Sequence, residues 1–512
     1  MKLNQIKAGV IINYITVALG VVVSLIYTPF MINQMGISEY GLYTTALAVV
    51  SNLSLLNMGM NSTYTRFYAR KKKENDEEGI RRLNGLVFTI YAVMAVLALV
   101  IGAFLALNSH VVFGNKLTAA EMEKMPLLVM ILVVNVAVTL PTGLFESMIV
   151  VNERFIFLRS LNVLKTVLNP AITVPVLLLG YRSIGLAVCT CAVHALYLLC
   201  CVFYCKGSLK AKMSFRTFDK VLLRSLLTFT IYVFMGVLVN QLNWSVDKYI
   251  LTLLHGTVAT GIYGLADQLN MYFITASNIL SQGLVPRVHR IVATNNDNTE
   301  LTRLFTKVGR LQFVLLMMIW LGFFAMGPYF ITIWANGKDL TQTEFNQIYW
   351  IALMLMGSSV MPSIQVLGTE IQRAKNMHRF RAWLYLIVCV ANILISIPLA
   401  QQFEGVGAAL GTAITVVVGP GFIMNWYYKN KIGLDIGFFW REIFKLVPAL
   451  LPGAVLALMM RLFVTIPSFS VFILWGIVFV AVYVISVWLL GFNSNEKQMV
   501  SAPLKRLLLR KR

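Results

Sequence analysis

Apolar residues fall along this chain in runs of about twenty, and polar residues gather between the runs instead of alternating within them. A helix of that length covers roughly 30 Å, the thickness of a bilayer's hydrocarbon core. Backbone groups in that layer have no water to bond, so each run is a helix or a strand of a closed barrel, and the length of the runs selects helices. The pattern predicts fourteen spans, at about 8–30, 40–60, 85–107, 126–150, 160–180, 184–205, 226–247, 258–285, 308–333, 347–368, 383–402, 405–428, 444–465 and 470–492. The fold class is therefore an all-α polytopic membrane protein. The longest connections, about 61–84 and 108–125, are too short to hold a core of their own.

One polar interruption recurs. Gly36, Gly41 and Tyr43 form a G-x4-G-x-Y pattern between the first two spans, and Gly256, Gly261 and Tyr263 repeat it 220 positions later between spans seven and eight. Each copy precedes an apolar stretch that ends in two arginines, Arg66 with Arg70 and Arg287 with Arg290, spaced to share a helix face. Six spans separate the copies, an even number, so the copies run parallel and not inverted. The chain reads as two pseudo-symmetric six-helix bundles, 1–205 and 226–430, joined by a cytoplasmic linker at 206–225. Two further spans follow within 431–492, then a basic cytoplasmic tail at 493–512.

Composition orients this picture. Hydrophobic residues make up 58% and charged residues 12%, about half the charged fraction usual in soluble proteins. A net charge of +22 could mark a nucleic-acid binder, but its distribution argues otherwise. With the N-terminus in the cytoplasm, 37 of the 43 Lys and Arg residues fall on the inner side and 6 on the outer, as the positive-inside rule demands. Both termini are thus expected in the cytoplasm, with no nucleic-acid partner. The six cysteines lie in apolar runs with no His or carboxylate at ligand spacing, and read as small packing residues and not a metal site. The first run is too long for a signal-peptide core and reads as a retained helix.

Ionisable groups inside hydrocarbon are costly and mark sites or buried pairs. Asp267 in span eight reads equally as a proton or cation site and as a hydrogen-bonded carboxylate. Glu146 lies near the inner end of span four. Asn270, Asn278 and Gln282 share the Asp267 face, which suggests a helix lining a wet cavity. Asp247 with Lys248 reads as an interfacial pair, and His194, alone on an apolar run, as a packed histidine. The two arginine pairs admit two readings, topology signals or a basic mouth for an anionic head group; a guanidinium meets phosphate oxygens in bidentate fashion. Breakers such as Pro141, Pro170, Pro175, Pro362 and Gly419-Pro420-Gly421 favour a protein that moves. The outer loops offer Glu39, His110, Glu121, Glu123, His255, Asp339 and Glu344 without a catalytic constellation, so a polysaccharide polymerase or ligase ranks low and no cofactor is expected.

The stretch Leu25-Ile26-Tyr27-Thr28-Pro29-Phe30, the turn Gly36-Ile37-Ser38-Glu39-Tyr40-Gly41-Leu42-Tyr43, Asn57-Met58-Gly59 before Arg66-Phe67-Tyr68-Ala69, and Asp247-Lys248-Tyr249-Ile250-Leu251 before the second turn together resemble the Wzx-type polysaccharide flippases. These belong to the multidrug/oligosaccharidyl-lipid/polysaccharide (MOP) exporter superfamily, and the likeness spans the whole length. It implies two bundles, arranged as in the MATE multidrug exporters, around a cavity open alternately to either side of the bacterial inner membrane. The implied cargo is an undecaprenyl-pyrophosphate-linked oligosaccharide for O-antigen, capsule or exopolysaccharide. Arg66, Arg70, Arg287, Arg290, Asn270, Asn278 and Gln282 would bind its head group, and Asp267 or Glu146 would couple flipping to an H⁺ or Na⁺ gradient. Membrane lipids, glycosyltransferases and a polymerase would be the partners; the oligomeric state is left open. A lipid II flippase or a multidrug exporter of the same superfamily is the alternative, and the absence of Asp or Glu from the first helix weakens the exporter reading.

Overall fold

The computed structural model describes residues 2–57, 59–113, 117–215, 220, 222–224, 226, 230, 246–335, 340–375, 377, 379–493, 496 and 497. Among these the secondary structure is helical, with no strand. Nine described helices are long and apolar enough to cross a membrane, ten if the bent pair Ile436–Phe444 and Val447–Phe463 forms one span. The gap between ten and fourteen has four sources. The seventh expected span lies mostly outside the described residues. The second is interrupted, because α2 (Ile37–Val50) gives way to a tight 3₁₀ turn over Ser51–Asn57 before α3 (Met60–Lys73). The eighth, Thr257–Gln282, is diluted by amides, hydroxyls and glycines. Spans eleven and twelve run together in Arg379–Ile432. That stretch leaves helical geometry at Phe403 and Glu404, the latter at φ 51°, in the two-residue gap that the hydrophobic pattern left between them.

The helices pack as two units, Met1–Gly264 with Trp334–Thr341 and Ile393–Ala408, and Leu265–Ile333 with Gln342–Asn392 and Ala409–Arg512. The first unit contains α1 (Lys2–Met35), α2, α3, α4 (Glu77–Leu107), α5 (Ser109–Phe113), α6 (Ala119–Val151), α7 (Phe155–Leu178) and α8 (Arg182–Gly207). Helix α6 is its hub, touching α2, α3, α4, α7 and α8, while α1 lies along α7. One core joins Tyr64, Val87, Tyr91, Leu144 and Cys201; a second joins Leu42, Phe113, Leu128 and Leu132. Lipid is as apolar as these side chains, so close packing and interhelical hydrogen bonds carry the association. Tyr64 accordingly donates to Asn84 Oδ1 at 2.7 Å, and Asn84 Nδ2 donates to the Lys212 carbonyl at 3.0 Å, tying the start of the linker to α4. At the start of α4, Asp76 caps the helix by accepting from the Gly79 N–H at 2.7 Å. The Lys71 ammonium, with that N–H, holds its carboxyl below the usual carboxylate range.

The second unit is held at one end by Arg310, buried at 5% side-chain exposure. Its Nε and Nη2 donate to the two carboxylate oxygens of Glu496 at 2.7 and 3.0 Å. Nη1 donates to the carbonyl and carboxylate of Glu442 at 2.7 and 3.3 Å, and Nη2 to the Gly491 carbonyl at 2.9 Å. All five guanidinium donors are thereby used. This one side chain fastens the helix Ile436–Phe444 and the end of the last span to the helix Asn298–Trp334. A core of Leu321, Ala457, Phe479 and Tyr483 continues the same association along the bundle.

Candidate functional site

The repeated turn is built the same way twice. Gly36 and Gly256 each adopt φ 83°, a left-handed conformation that glycine enters without strain. Each closes the preceding helix by donating its N–H four residues back, Gly36 to the Ile32 carbonyl and Gly256 to the Thr252 carbonyl, and each opens the next helix. Five residues on, the second glycines meet across the first unit. A Cβ added to Gly41 would stand 1.9 Å from the Thr257 carbonyl oxygen, and one added to Gly261 would stand 2.8 Å from that of Ile37. Gly41 against Thr257 and Gly261 against Ile37 are equivalent positions of the two copies. The contact is thus self-complementary, as at a two-fold dimer interface.

Hydroxyls and one carboxylate close this seam. Glu121 Oε1 accepts from Ser38 Oγ and from Thr257 Oγ1, both at 2.5 Å. Its Oε2 accepts from the Thr118 N–H at 2.8 Å, completing a capping box. A buried anion thereby faces the N-termini of α2, α6 and Thr257–Gln282 together, where three helix dipoles favour negative charge. Thr45, Thr252 and Thr260 extend the seam in a chain of 2.8 Å contacts, and Tyr263 donates to Asp247 Oδ2 at 2.7 Å. Beside it, Glu39 accepts from Ser183 Oγ at 2.6 Å and pairs with Lys124 at 2.9 Å. In Glu121→Gln the fixed Thr118 N–H takes the remaining oxygen, and the hydroxyls must turn to accept from an amide. Losing these charge-assisted bonds is expected to cost about 1–3 kcal/mol, read as a lower unfolding midpoint of the purified protein.

A second polar constellation lies deeper in the same unit. A cavity of about 220 Å³ is lined by side chains of α3, α6, α7 and α8 and of the turn before α3. Tyr197 Oη is 2.6 Å from Glu146 Oε1 and 3.0 Å from Asn162 Oδ1. Lys165 Nζ stands 4.8 Å from the centroid of the Tyr197 ring. His194 Nδ1 is 2.6 Å from Asn135 Oδ1, and Tyr91 Oη lies within 3.0 Å of Asn57 and 2.5 Å of Asn61. Glu146 and Lys165 stand out in the sequence as charges in apolar runs. Tyr197 and the asparagines do not, because an aromatic or amide in such a run carries no sign of its partner.

The remaining residues singled out by sequence are distributed between the units. Arg66 and Arg70 are exposed on α3, where Arg70 pairs with Glu74 at 3.0 Å. Arg287 and Arg290 are exposed on the helix Val285–Thr294 of the second unit, where Arg287 pairs with Glu300 at 3.2 Å. On Thr257–Gln282, Asp267 and Asn270 are buried, Asn278 is half-buried and Gln282 is exposed. The Asn270 Oδ1 has no hydrogen-bond partner among the described residues. Among those residues no cluster of His, Cys, Asp or Glu could hold a metal ion.

A family model described as "Polysaccharide biosynthesis protein" matches residues 6–292. No curated protein sequence matches. Among solved structures, the lipid II flippase MurJ in an inward closed conformation superposes with a TM-score of 0.73 at 15% identity, over 93% of this chain and 97% of MurJ. An inward-facing multidrug resistance MATE family transporter of the MOP superfamily gives 0.65 at 13% identity, over 82% of this chain and 96% of that one. A MOP superfamily transporter from Pyrococcus furiosus gives 0.57 at 12% identity, over 83% and 96%. At these identities the likeness is one of fold.

Proposed function

The chain belongs to the polysaccharide biosynthesis protein family, and from that premise we propose that it flips undecaprenyl-pyrophosphate-linked oligosaccharide from the cytoplasmic to the outer leaflet of a bacterial inner membrane. The product would be a surface polysaccharide such as O-antigen, capsule or exopolysaccharide. A sugar head group cannot enter hydrocarbon without losing the hydrogen bonds of its hydroxyls, so the protein must offer a polar path that is shut at one end at a time. The observation that carries the reading is the seam of the two repeated turns. Its closest contacts are glycine against backbone, and its hydroxyls bond one another and Glu121, so these polar groups can exchange their partners for water when it opens. In this reading the seam is the outer gate, and rocking that parts and closes it gives alternating access.

The arginines would take the pyrophosphate at the cytoplasmic side. The Arg70 and Arg287 ion pairs are exposed and worth about 0–1 kcal/mol each, less than a bidentate phosphate contact offers. Asn270, Asn278 and Gln282 would serve sugar hydroxyls. Asp267 or Glu146 would bind the coupling H⁺ or Na⁺, and glycosyltransferases and a polymerase would act before and after the flip. In the Arg66→Ala, Arg287→Ala double variant, surface polysaccharide should fall more than tenfold at unchanged protein level in the membrane. Wild-type output from that variant would end the proposal. Asp267→Asn, assayed in parallel, should remove dependence on the ion gradient; an unaltered dependence moves coupling away from this carboxylate.

A further inference from the structure

We infer that the polar cavity of the first unit is a binding subsite for one uncharged pyranose ring, separate from the arginines proposed for the pyrophosphate. Its size leaves room for far more than the simplest occupant. A single water or small ion needs on the order of 10–15 Å³, and this space is about 220 Å³. Its charges count against two others, a Na⁺ at Glu146 among them. A metal cation at Glu146 would meet the Lys165 ammonium, and an anion at Lys165 would meet the Glu146 carboxylate, since both side chains line the one cavity. The lining suits best a neutral molecule that both donates and accepts many hydrogen bonds.

The lining matches that demand group by group. The hydroxyls of Thr139 and Thr142 already donate to the helix carbonyls of Val136 and Val138, at 2.9 Å in each case. Their lone pairs are what they present to a ligand. With His194 Nδ1–H donating to Asn135, Nε2 is an acceptor. Glu146 gives one oxygen to Tyr197 and keeps the other. Against these acceptors stands Lys165, whose three N–H donors have no hydrogen-bond or ion-pair partner among the described residues. Each sugar hydroxyl is one donor and one acceptor, so a mixed wall of this kind suits a pyranose; Leu140 and Gly143 supply a small apolar patch for its C–H face. The charged pair then binds by charge-assisted bonds to a neutral ligand, and no net charge need be buried with it.

The biological sense of this subsite rests on the flippase reading, so its test measures binding and not transport. Full-length protein in lipid nanodiscs is titrated with methyl α-glucopyranoside, methyl α-galactopyranoside and methyl N-acetyl-α-glucosaminide, followed by saturation-transfer NMR. At least one should bind saturably. Lys165→Met and Glu146→Gln should each weaken that glycoside tenfold or more, with Thr139→Val as a smaller change that leaves both charges in place. Binding should survive in the Arg66→Ala, Arg287→Ala variant. Saturation by none of the three, or unchanged affinity in both charge variants, overturns the inference. So does saturable ²³Na binding that is lost in Glu146→Gln with no glycoside bound, since the cavity would then be an ion site. Glycoside binding alongside undiminished polysaccharide from the arginine variant would retire the flippase reading and keep the subsite; the converse pair of results would do the reverse.

Discussion

Gly41→Ala is expected to reduce surface polysaccharide more than tenfold and to lower the unfolding midpoint of the purified protein. The added Cβ would stand 1.9 Å from the Thr257 carbonyl oxygen and 2.6 Å from its carbon. Both are backbone atoms at the start of a helix whose neighbouring hydroxyl is held by Glu121, so no side-chain rotation relieves the clash. Overpacking of this kind costs about 1–3 kcal/mol where the surroundings yield, and here yielding means parting the seam. Gly261→Ala should be milder, because its nearest contact is 2.8 Å from the Ile37 carbonyl oxygen. Gly264→Ala should be close to neutral, with only Thr44 and Tyr40 side-chain atoms at 3.5–3.7 Å. The order Gly41, Gly261, Gly264 is the readout, in polysaccharide output and thermal melting at matched protein level. An output from Gly41→Ala equal to that of Gly264→Ala would show that closure of the seam is not needed.

Arg310→Met is expected to produce the largest loss of stability of any single change in the second unit. It would leave the carboxylate of Glu496 buried with its guanidinium gone, and would remove one partner of Glu442. Stranding a buried charge typically costs about 3–5 kcal/mol, far more than the pair contributes over an apolar replacement. That asymmetry supplies the check. Glu496→Gln placed on the Arg310→Met background should recover part of the loss, although it removes a further charge. A double variant no more stable than the single one would mean that Arg310 acts through its carbonyl contacts to Glu442 and Gly491.

The helices were legible because membrane burial writes itself into runs of residues, and even the break at Phe403 and Glu404 fell where the apolar pattern paused. The repeated turn was legible as spacing, and the matching φ at Gly36 and Gly256 gives that spacing a backbone cause. What joins the copies was not. Glu121 sits 83 residues from Ser38 and 136 from Thr257, and only its capping box with Thr118 has a local signature. Arg310 counts in the sequence as one more inner-side cation, yet the structure buries it. Charge counting cannot separate a side chain that faces water from one that faces two glutamates. His194 read as a packed histidine, and it does bond Asn135, but its ring also lines the cavity. Periodicity on an entirely apolar helix does not tell one face from another.

The seam also sets an order of events in biosynthesis. Glu121 leaves the ribosome 136 residues ahead of Thr257, an interval on the order of ten seconds at ordinary translation rates. Throughout it the first turn has been made and its mate has not, so Glu121 has Ser38 and Thr118 as donors but must find water or another host in place of Thr257. The glycine that lets the second helix settle close is therefore also the one that ends this exposed interval. A chain whose seam cannot close would present the membrane's quality-control proteases with an unfinished edge for as long as it exists.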